Sequence, residues 1–390
     1  MSKSVVVSGD TCKINQRDWN LIIESENETS VFKPRTENPS RLIINGFKGY
    51  ISLQSLKWFS VHKTDIAILD VFGNLQTSIV SHGSENGSSL IRQVEIYKDA
   101  VQRLKYGKQL ITHKIESQKT FIQNLSQFYS IDYPKYEKEV ENEIKTRKTA
   151  TMNDLLTLEG RTTQLYWKSI ALSLKSENIE WYGRDSRDKN NRNADNFVNA
   201  SLNYLYSLLQ HAVRVSALSN GLSLKIGVLH DAYGSQEPLV YDLIEPLRYI
   251  ADLTLIELIS KKQITKSDFT FGPNFKLLIK LDARDRLVRQ FNYILSRKIK
   301  INEQRFQVVN AIDRYVLSFK QSLLSGSKWQ PLENLTLERN DTEKIRKKIL
   351  SLSPVERKER GINKSTLWYQ QQAIKRGKAR KLYAPSIRKL

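Results

Sequence analysis

Two carboxylates three residues apart in an otherwise apolar segment are the groups in this chain best placed to do chemistry. They are Asp242 and Glu245, in LVYDLIEPLR (239–248). Positions i and i+3 share one face of a helix, so both acids point the same way. Two like charges on a buried face are costly unless a cation sits between them, and a divalent metal is the usual resolution. His230, in GVLHDAYG, stands twelve positions before Asp242, and Glu159, in LLTLEGRTTQLYW, adds a third acid. Carboxylates with one imidazole suit Mg²⁺ or Mn²⁺, and the imidazole tilts the preference towards Mn²⁺.

Each of these residues also has a plainer reading. A lone helical Glu such as Glu159 is usually solvated, and a lone His such as His230 is usually a satisfied core residue. The other histidines, His62, His82, His113 and His211, lack comparable acidic surroundings and are expected to be structural or on the surface. The Asp242–Glu245 pair carries more weight because Leu239, Val240, Leu243 and Ile244 flank it. Pro246 has no N–H and crowds the carbonyl of Asp242, so the helix should bend at this point. Arg248 is either a salt-bridge partner of these acids or a phosphate contact. Asn196, Asn199 and Asn203 share a helix face. Capping and helix–helix bonding suit Asn203, whereas Asn199 could orient a ligand from behind. Tyr166 and Trp167 read as core or interface.

The 390 residues carry 62 Lys and Arg against 41 Asp and Glu, a net charge of +21. A polyanionic partner follows, because neutralising phosphates releases counterions. Cys12 is the only cysteine, which excludes an internal disulfide and a multi-Cys zinc site. The N-terminus lacks the apolar core of a signal peptide, and no uncharged apolar run reaches the roughly 18 residues of a membrane span. A soluble, cytoplasmic protein with no membrane partner is expected. There is no P-loop, dinucleotide fingerprint or nucleophile elbow.

The elements that must position these groups read as an α+β multidomain chain. Residues 1–80 are β-rich: SVVVSG, WNLIIES, RLIING, GYISL, TDIAILD and QTSIV alternate with Gly, Asn, Asp or Pro, with a short helix around SLQSLKWFSVH. Residues 81–89, Gly- and Ser-rich, read as a linker. Residues 90–335 form helix-length amphipathic stretches, hence a large all-α catalytic domain. Its clearest helix is NADNFVNASLNYLYSLLQHAVRVSALSN, stopped at Asn220–Gly221, and Pro238 can open the helix that carries the acid pair. Residues 340–390 form a basic extension: from Asp341 onward 15 Lys or Arg stand against 4 Asp or Glu, a net +11. Its apolar residues and the turn at Gly361 suggest a helix-turn-helix whose last helix is capped by Asn363 or Ser365.

Taken together, LEGRTTQLYW, DNFVNASLNYLYSLL, GLSLKIGVLH and LVYDLIEPLR, in that order, resemble the CRISPR-associated spacer-acquisition integrases, the endonucleases of the adaptation module. IINGFKGYISLQSLKWFSVHKTDIAILDVFGNLQ resembles that family's β-domain, so the likeness spans roughly residues 1–325. The resemblance implies a β-domain that mediates homodimerisation and an α-domain with one divalent-metal site. Glu159, His230 and Glu245 fall on the family's ligand positions and Asp242 on its neighbouring acid. Many members have Asp where this chain has Glu245, which reaches one methylene further. The basic extension departs from adaptation proteins and is commoner in casposases, the transposon-encoded relatives.

The implied reaction is attack of a DNA 3′-hydroxyl on a target phosphodiester, with Mn²⁺ or Mg²⁺ held by Glu159, His230 and Glu245. Asp242 would hold a metal-bound water or a second ion. Double-stranded DNA would lie along Arg161, Arg248, Lys364, Lys375, Arg376, Lys378, Arg380 and Lys381, and a small adaptor subunit could complete the assembly. A helix-turn-helix DNA-binding protein without catalysis is the alternative from a different class.

Overall fold

The computed structural model describes residues 4–26, 28–34, 39, 41–70, 73, 75–80, 86–184, 196–231, 237–272, 277–301, 304–332, 335, 352–353 and 363–375. The chain divides into two compact units, Met1–Leu337 and Glu338–Leu390.

The first unit opens with a six-stranded sheet in the order β3-β2-β1-β4-β5-β6. The strands are β1 (Ser4–Arg17), β2 (Asn20–Ser25), β3 (Thr29–Phe32), β4 (Arg41–Ile51), β5 (Asp65–Leu69) and β6 (Leu75–Ile79). β1 and β5 both run parallel to β4, and the remaining pairs are antiparallel. RLIING and GYISL, which read as separate runs, are one continuous strand, β4. Strand β3 (TSVF) is only four residues long, too short for its alternation to stand out from sequence. Helix α1 (Leu53–His62) is capped by Ser52, whose side chain accepts from Ser55 N.

Side-chain alternation makes this sheet two-faced. On β4, Leu42 and Ile44 join Ile14, Leu21, Trp58 and Phe59 in a core closed by α1. Ile43 points the other way, and with Ala67 and Leu69 of β5 it enters the core of the helical region. Two hydrogen bonds pin that joint: Tyr204 Oη donates to Asn45 Oδ1 at 2.8 Å, and Ser78 Oγ lies 3.0 Å from His211 Nδ1.

The helical region comprises α2 (Gly87–Lys98), α3 (Ala100–Ser126), α4 (Tyr133–Thr146), α5 (Met152–Ser176), α6 (Phe197–Ser219), α7 (Pro238–Ile244), α8 (Tyr249–Ser260), α9 (Leu281–Ser296) and α10 (Val308–Ser325). Two small antiparallel ribbons interrupt it: β7 (Phe269–Phe271) with β8 (Leu277–Ile279), and β9 (Lys298–Ile301) with β10 (Gln304–Gln307). The expected linker at 81–89 is shorter than its composition suggests. Asn86 caps α2, and Gly87–Ser89 form that helix's first turn, so their small polar character is cap chemistry. α6 begins at its cap Asn196, and Gly221, at φ +71°, turns the chain after it. α8 is buried from Tyr249 to Ile259, Asp252 and Glu257 included, so it is the central rod of the bundle. No helix among the described residues is long and apolar enough to cross a membrane.

In the second unit α11 (Lys364–Lys375) starts from Asn363, whose Oδ1 accepts from Ser365 N at 2.9 Å, so Asn363 rather than Ser365 is the cap. Leu367 is buried. The preceding helix and the turn at Gly361 lie outside the described residues.

Asn45 is fully buried, so its partner matters. Tyr204→Phe is expected to cost about 1–3 kcal/mol by leaving that amide short of a donor. A fall in the urea midpoint at unchanged m-value checks this; an unchanged midpoint would show that Tyr204 packs without pinning the joint.

Candidate metal centre and its cavity

The bend expected at Pro246 is present. α7 ends at Ile244, Glu245–Leu247 form one 3₁₀ turn, and α8 begins at Tyr249. Ser117 of α3 donates to the Pro246 carbonyl at 2.8 Å and so holds the turn in place. Glu245 thereby points at α3 and α5 from a nearly closed position, its side chain 7% exposed.

Lys114 of α3 stands between the two candidate carboxylates. Its Nζ pairs with Glu159 Oε1 and lies 2.6 Å from Glu245 Oε2. Thr163, one turn beyond Glu159 on α5, donates to the same Glu159 oxygen at 3.0 Å. Arg248 Nη2 contacts Glu245 Oε1 at 2.8 Å, so of its two sequence readings the salt bridge is the one formed. Burial works to raise the pKa of Glu245, but Arg248 and Lys114 outweigh it and hold the carboxyl well below the usual range. Lys114, for which burial pulls downward, is held above the usual lysine value by Glu245 and Glu159.

Asp242 does a different job from the one expected of it. Its Oδ2 accepts from the backbone of Val228 at 2.5 Å and Leu229 at 3.0 Å. Its Oδ1 accepts from His230 N at 3.0 Å and stands 2.7 Å from His230 Nδ1. Four bonds fill a carboxylate's acceptor positions, leaving none for a metal-bound water or a second ion. Because a carboxylate only accepts, Nδ1 carries the proton, and the neutral ring keeps its Nε2 lone pair. Burial lowers the pKa of His230, but the bond and charge of Asp242, with Glu245 behind, raise it overall. Gly227 makes the close approach possible, since a Cβ there would lie 2.6 Å from Asp242 Oδ2. Arg103 of α3 grips the turn from the other side: Nε donates to Val228 O at 3.0 Å and Nη2 reaches Asp231 Oδ1 at 2.7 Å. Its guanidinium lies 4.4 Å from the Tyr97 ring centroid.

A cavity of about 470 Å³ opens beside Lys114, Glu159 and Glu245, with Arg248, Lys168 and Arg184 also on its wall. Behind it, Tyr166 and Tyr206 each donate to Asp252 at 2.6 Å. Burial raises Asp252 to about 6 despite these two bonds. The Arg248 and Arg184 guanidinium groups lie 5.0 and 5.3 Å from the Tyr206 ring centroid.

The structure therefore brings Glu159 and Glu245 onto one cation and sets His230 within electrostatic reach of Glu245. Among the described residues no three His, Cys, Asp or Glu side chains stand close enough to chelate an ion as arranged. The donors nevertheless fit one. Two carboxylate oxygens already share a positive centre, and Glu245 Oε2, buried, meets Lys114 without hydrogen-bond alignment. Asn199 Oδ1 accepts from Trp181 Nε1 at 3.2 Å, and the groups that contact the candidate ligands include Lys114, Arg248 and Asp242. Asn203 accepts from Arg184 at 2.8 Å. Tyr166 and Trp167 are buried, as expected. His113 packs against Trp329, and burial, with Lys328 adding to it, lowers its pKa to about 4. His211 is likewise kept neutral by burial, whereas His62 packs on Trp58. His82, Arg376, Lys378, Arg380 and Lys381 lie outside the described residues; Lys364 and Arg161 are exposed, and Lys375 closes α11.

Lys114 and Arg103 escaped the sequence reading. Lys114 carried a signal, because it falls on the inward stripe of α3 with Leu110, Ile111, Ile115 and Phe121, where a lysine needs an acid.

A model of the family described as CRISPR associated protein Cas1 matches residues 5–293. Over 335 residues the chain is 27% identical to the CRISPR-associated endonuclease Cas1 1 of Methanospirillum hungatei JF-1, covering 84% of this chain and 98% of that protein. It is similar to the structure of a casposase bound to integration product, with TM-score 0.76 and 26% identity, covering 90% of this chain and 99% of that one. A Cas6-RT-Cas1–Cas2 complex shares the fold at TM-score 0.66 and 18% identity, over 86% of this chain and 36% of that chain. The family match runs from the sheet through the Glu159 helix to the 3₁₀ turn at Glu245 and beyond it, and the chain belongs to the CRISPR-associated Cas1 family.

Proposed function

We propose that this protein is a metal-dependent DNA endonuclease and integrase that joins a DNA 3′-hydroxyl to a target phosphodiester, as in CRISPR spacer acquisition. The observation that carries the reading is the pair Glu159–Glu245 held on one cation beside an imidazole whose tautomer Asp242 fixes. Glu159, Glu245 and His230 Nε2 would hold Mn²⁺ or Mg²⁺. The bound ion supplies Lewis-acid polarisation of the phosphate and orients the attacking oxygen.

The protein's own groups do the rest. Asp242 keeps Nδ1 protonated and the ring fixed, and Arg103 keeps the turn from moving. Arg248 and Arg184 put fixed positive charge on the cavity wall, where a phosphodiester brings negative charge. If water replaces the hydroxyl as nucleophile, the same arrangement hydrolyses DNA. Double-stranded DNA would also lie along Arg161, Lys364, Lys375 and the basic run beyond. Trp19, Leu53 and Val61 of the β-domain are exposed large apolar side chains, which supports a homodimer. A small adaptor subunit is proposed on the family resemblance alone.

A casposase-type role is the second reading. It is favoured by the likeness to casposase, at TM-score 0.76 and 26% identity over 90% of the chain.

Replacing His230 by Ala is expected to lower joining and cleavage by about 100-fold or more, since metal stabilisation is worth several kcal/mol. Duplex affinity measured in EDTA should hold. Unchanged activity would remove the metal-site reading and leave a DNA-binding protein without catalysis. Asp242→Asn should weaken Mn²⁺ binding by about 10–100-fold with the fold intact, because the ring loses its fixed orientation. Equal affinity would mean that Asp242 only braces the turn. Truncation after Glu338 should reduce the salt slope of duplex binding by about 0.9 for each phosphate that the extension neutralises. An unaltered slope would take the DNA-binding role away from the extension.

A further inference from the structure

Lys114 occupies the place where the proposed ion would be held. Its ammonium group is bonded to the two carboxylates assigned to that ion, and its side chain is only 5% exposed. Glu159 and Glu245 carry two negative charges, and Lys114 and Arg248 carry two positive ones, so the cluster is neutral as it stands. An added divalent ion would bring two more positive charges, offset only by the Asp242 carboxylate behind His230, with the ammonium pressed against the metal. Both cannot share the two oxygens.

The surroundings give the lysine somewhere to go. Lys114 also lines the cavity of about 470 Å³ that Arg248, Lys168 and Arg184 border. A four-carbon stem with free torsions can swing there without moving α3, which a planar guanidinium held at two points does less easily. With Lys114 turned out, the ion and Arg248 against two carboxylates leave one positive charge, and the ammonium adds another in the cavity. A DNA phosphodiester entering beside it brings the negative charge that makes both changes favourable.

We propose that Lys114 is a resident cation that holds the site in its metal-free form, yields its carboxylates to the divalent ion, and then pairs with a DNA phosphate in the adjoining cavity. This rests on the metal-site reading above. Metal and DNA binding are therefore coupled through one side chain, and each raises the affinity for the other by the same factor. The lysine also sets the metal affinity of the free protein, because the ion must displace it.

The test is Mn²⁺ binding to the full chain, followed by the EPR signal of free Mn²⁺, for wild type, Lys114→Gln, Lys114→Arg and His230→Ala, with and without a short duplex. Lys114→Gln should bind Mn²⁺ at least about tenfold more tightly than wild type without DNA, a gap of about 1.4 kcal/mol. Lys114→Arg should bind no more tightly than wild type. Duplex should tighten Mn²⁺ binding to wild type and tighten it less in Lys114→Gln. Strand transfer by Lys114→Gln should be slower despite the tighter metal. Equal or weaker Mn²⁺ binding by Lys114→Gln, while His230→Ala still abolishes binding to the wild-type site, overturns the role of Lys114 and leaves the metal site standing. Binding indifferent to His230→Ala defeats the metal-site reading itself. Thermal melts cover folding. Lys114→Gln should melt lower than wild type in EDTA and regain more with Mn²⁺; a variant that stays unfolded with Mn²⁺ present makes Lys114 a permanent strut and overturns the proposal.

Discussion

The arrangement of this protein's helical region turns on one buried ammonium group held by two acids from different elements. Lys114 comes from α3, Glu159 from α5 and Glu245 from the 3₁₀ turn before α8, and their ion pairs join all three. Removing charges from water costs several kcal/mol each, and only close pairing repays it. An apolar trio here would have given an ordinary core. The charged trio instead gives the bundle a place where positive charge is required.

A second constraint lies in the backbone. The 228–230 turn offers three N–H groups to Asp242 on one side and a carbonyl to Arg103 on the other, so it is held by ionic groups from α7 and α3. An irregular segment of this kind normally drifts, yet here it carries the imidazole. The Pro246 break serves the same end. It stops α7 one residue before Glu245 and lets the carboxylate leave the line of the helix, while Glu245 N bonds the Asp242 carbonyl and Ser117 donates to the Pro246 carbonyl. Both devices put functional groups where regular helices could not.

Much of this was legible in the sequence, and the rest was not for physical reasons. The acid pair stood out because apolar neighbours make a solvated face improbable, and Pro238, Pro246 and Gly221 act through their own backbone chemistry. The six-stranded sheet was visible as β-branched runs, although a run broken by glycine read as two strands where there is one. Lys114 lies 45 residues before Glu159, and the pairing of two helices so far apart is a tertiary fact. The type and spacing of Asp242 match a ligand, and only the fold brings up the N–H groups that occupy its acceptor positions. The Ser- and Gly-rich segment before α2 illustrates the same limit, since the composition that suggests a linker also suits a helix cap.

The central claim is that a single cation position, framed by Glu159 and Glu245 and faced by His230, serves the lysine and the divalent ion in turn. Anomalous diffraction at the manganese edge from crystals grown with Mn²⁺ and a short duplex tests it most directly. The account predicts one strong peak bonded to a Glu159 oxygen, a Glu245 oxygen and His230 Nε2, with the Lys114 ammonium withdrawn into the cavity beside a DNA phosphate. A peak bonded to Asp242, or Lys114 still seated between the two glutamates with manganese elsewhere, would contradict it.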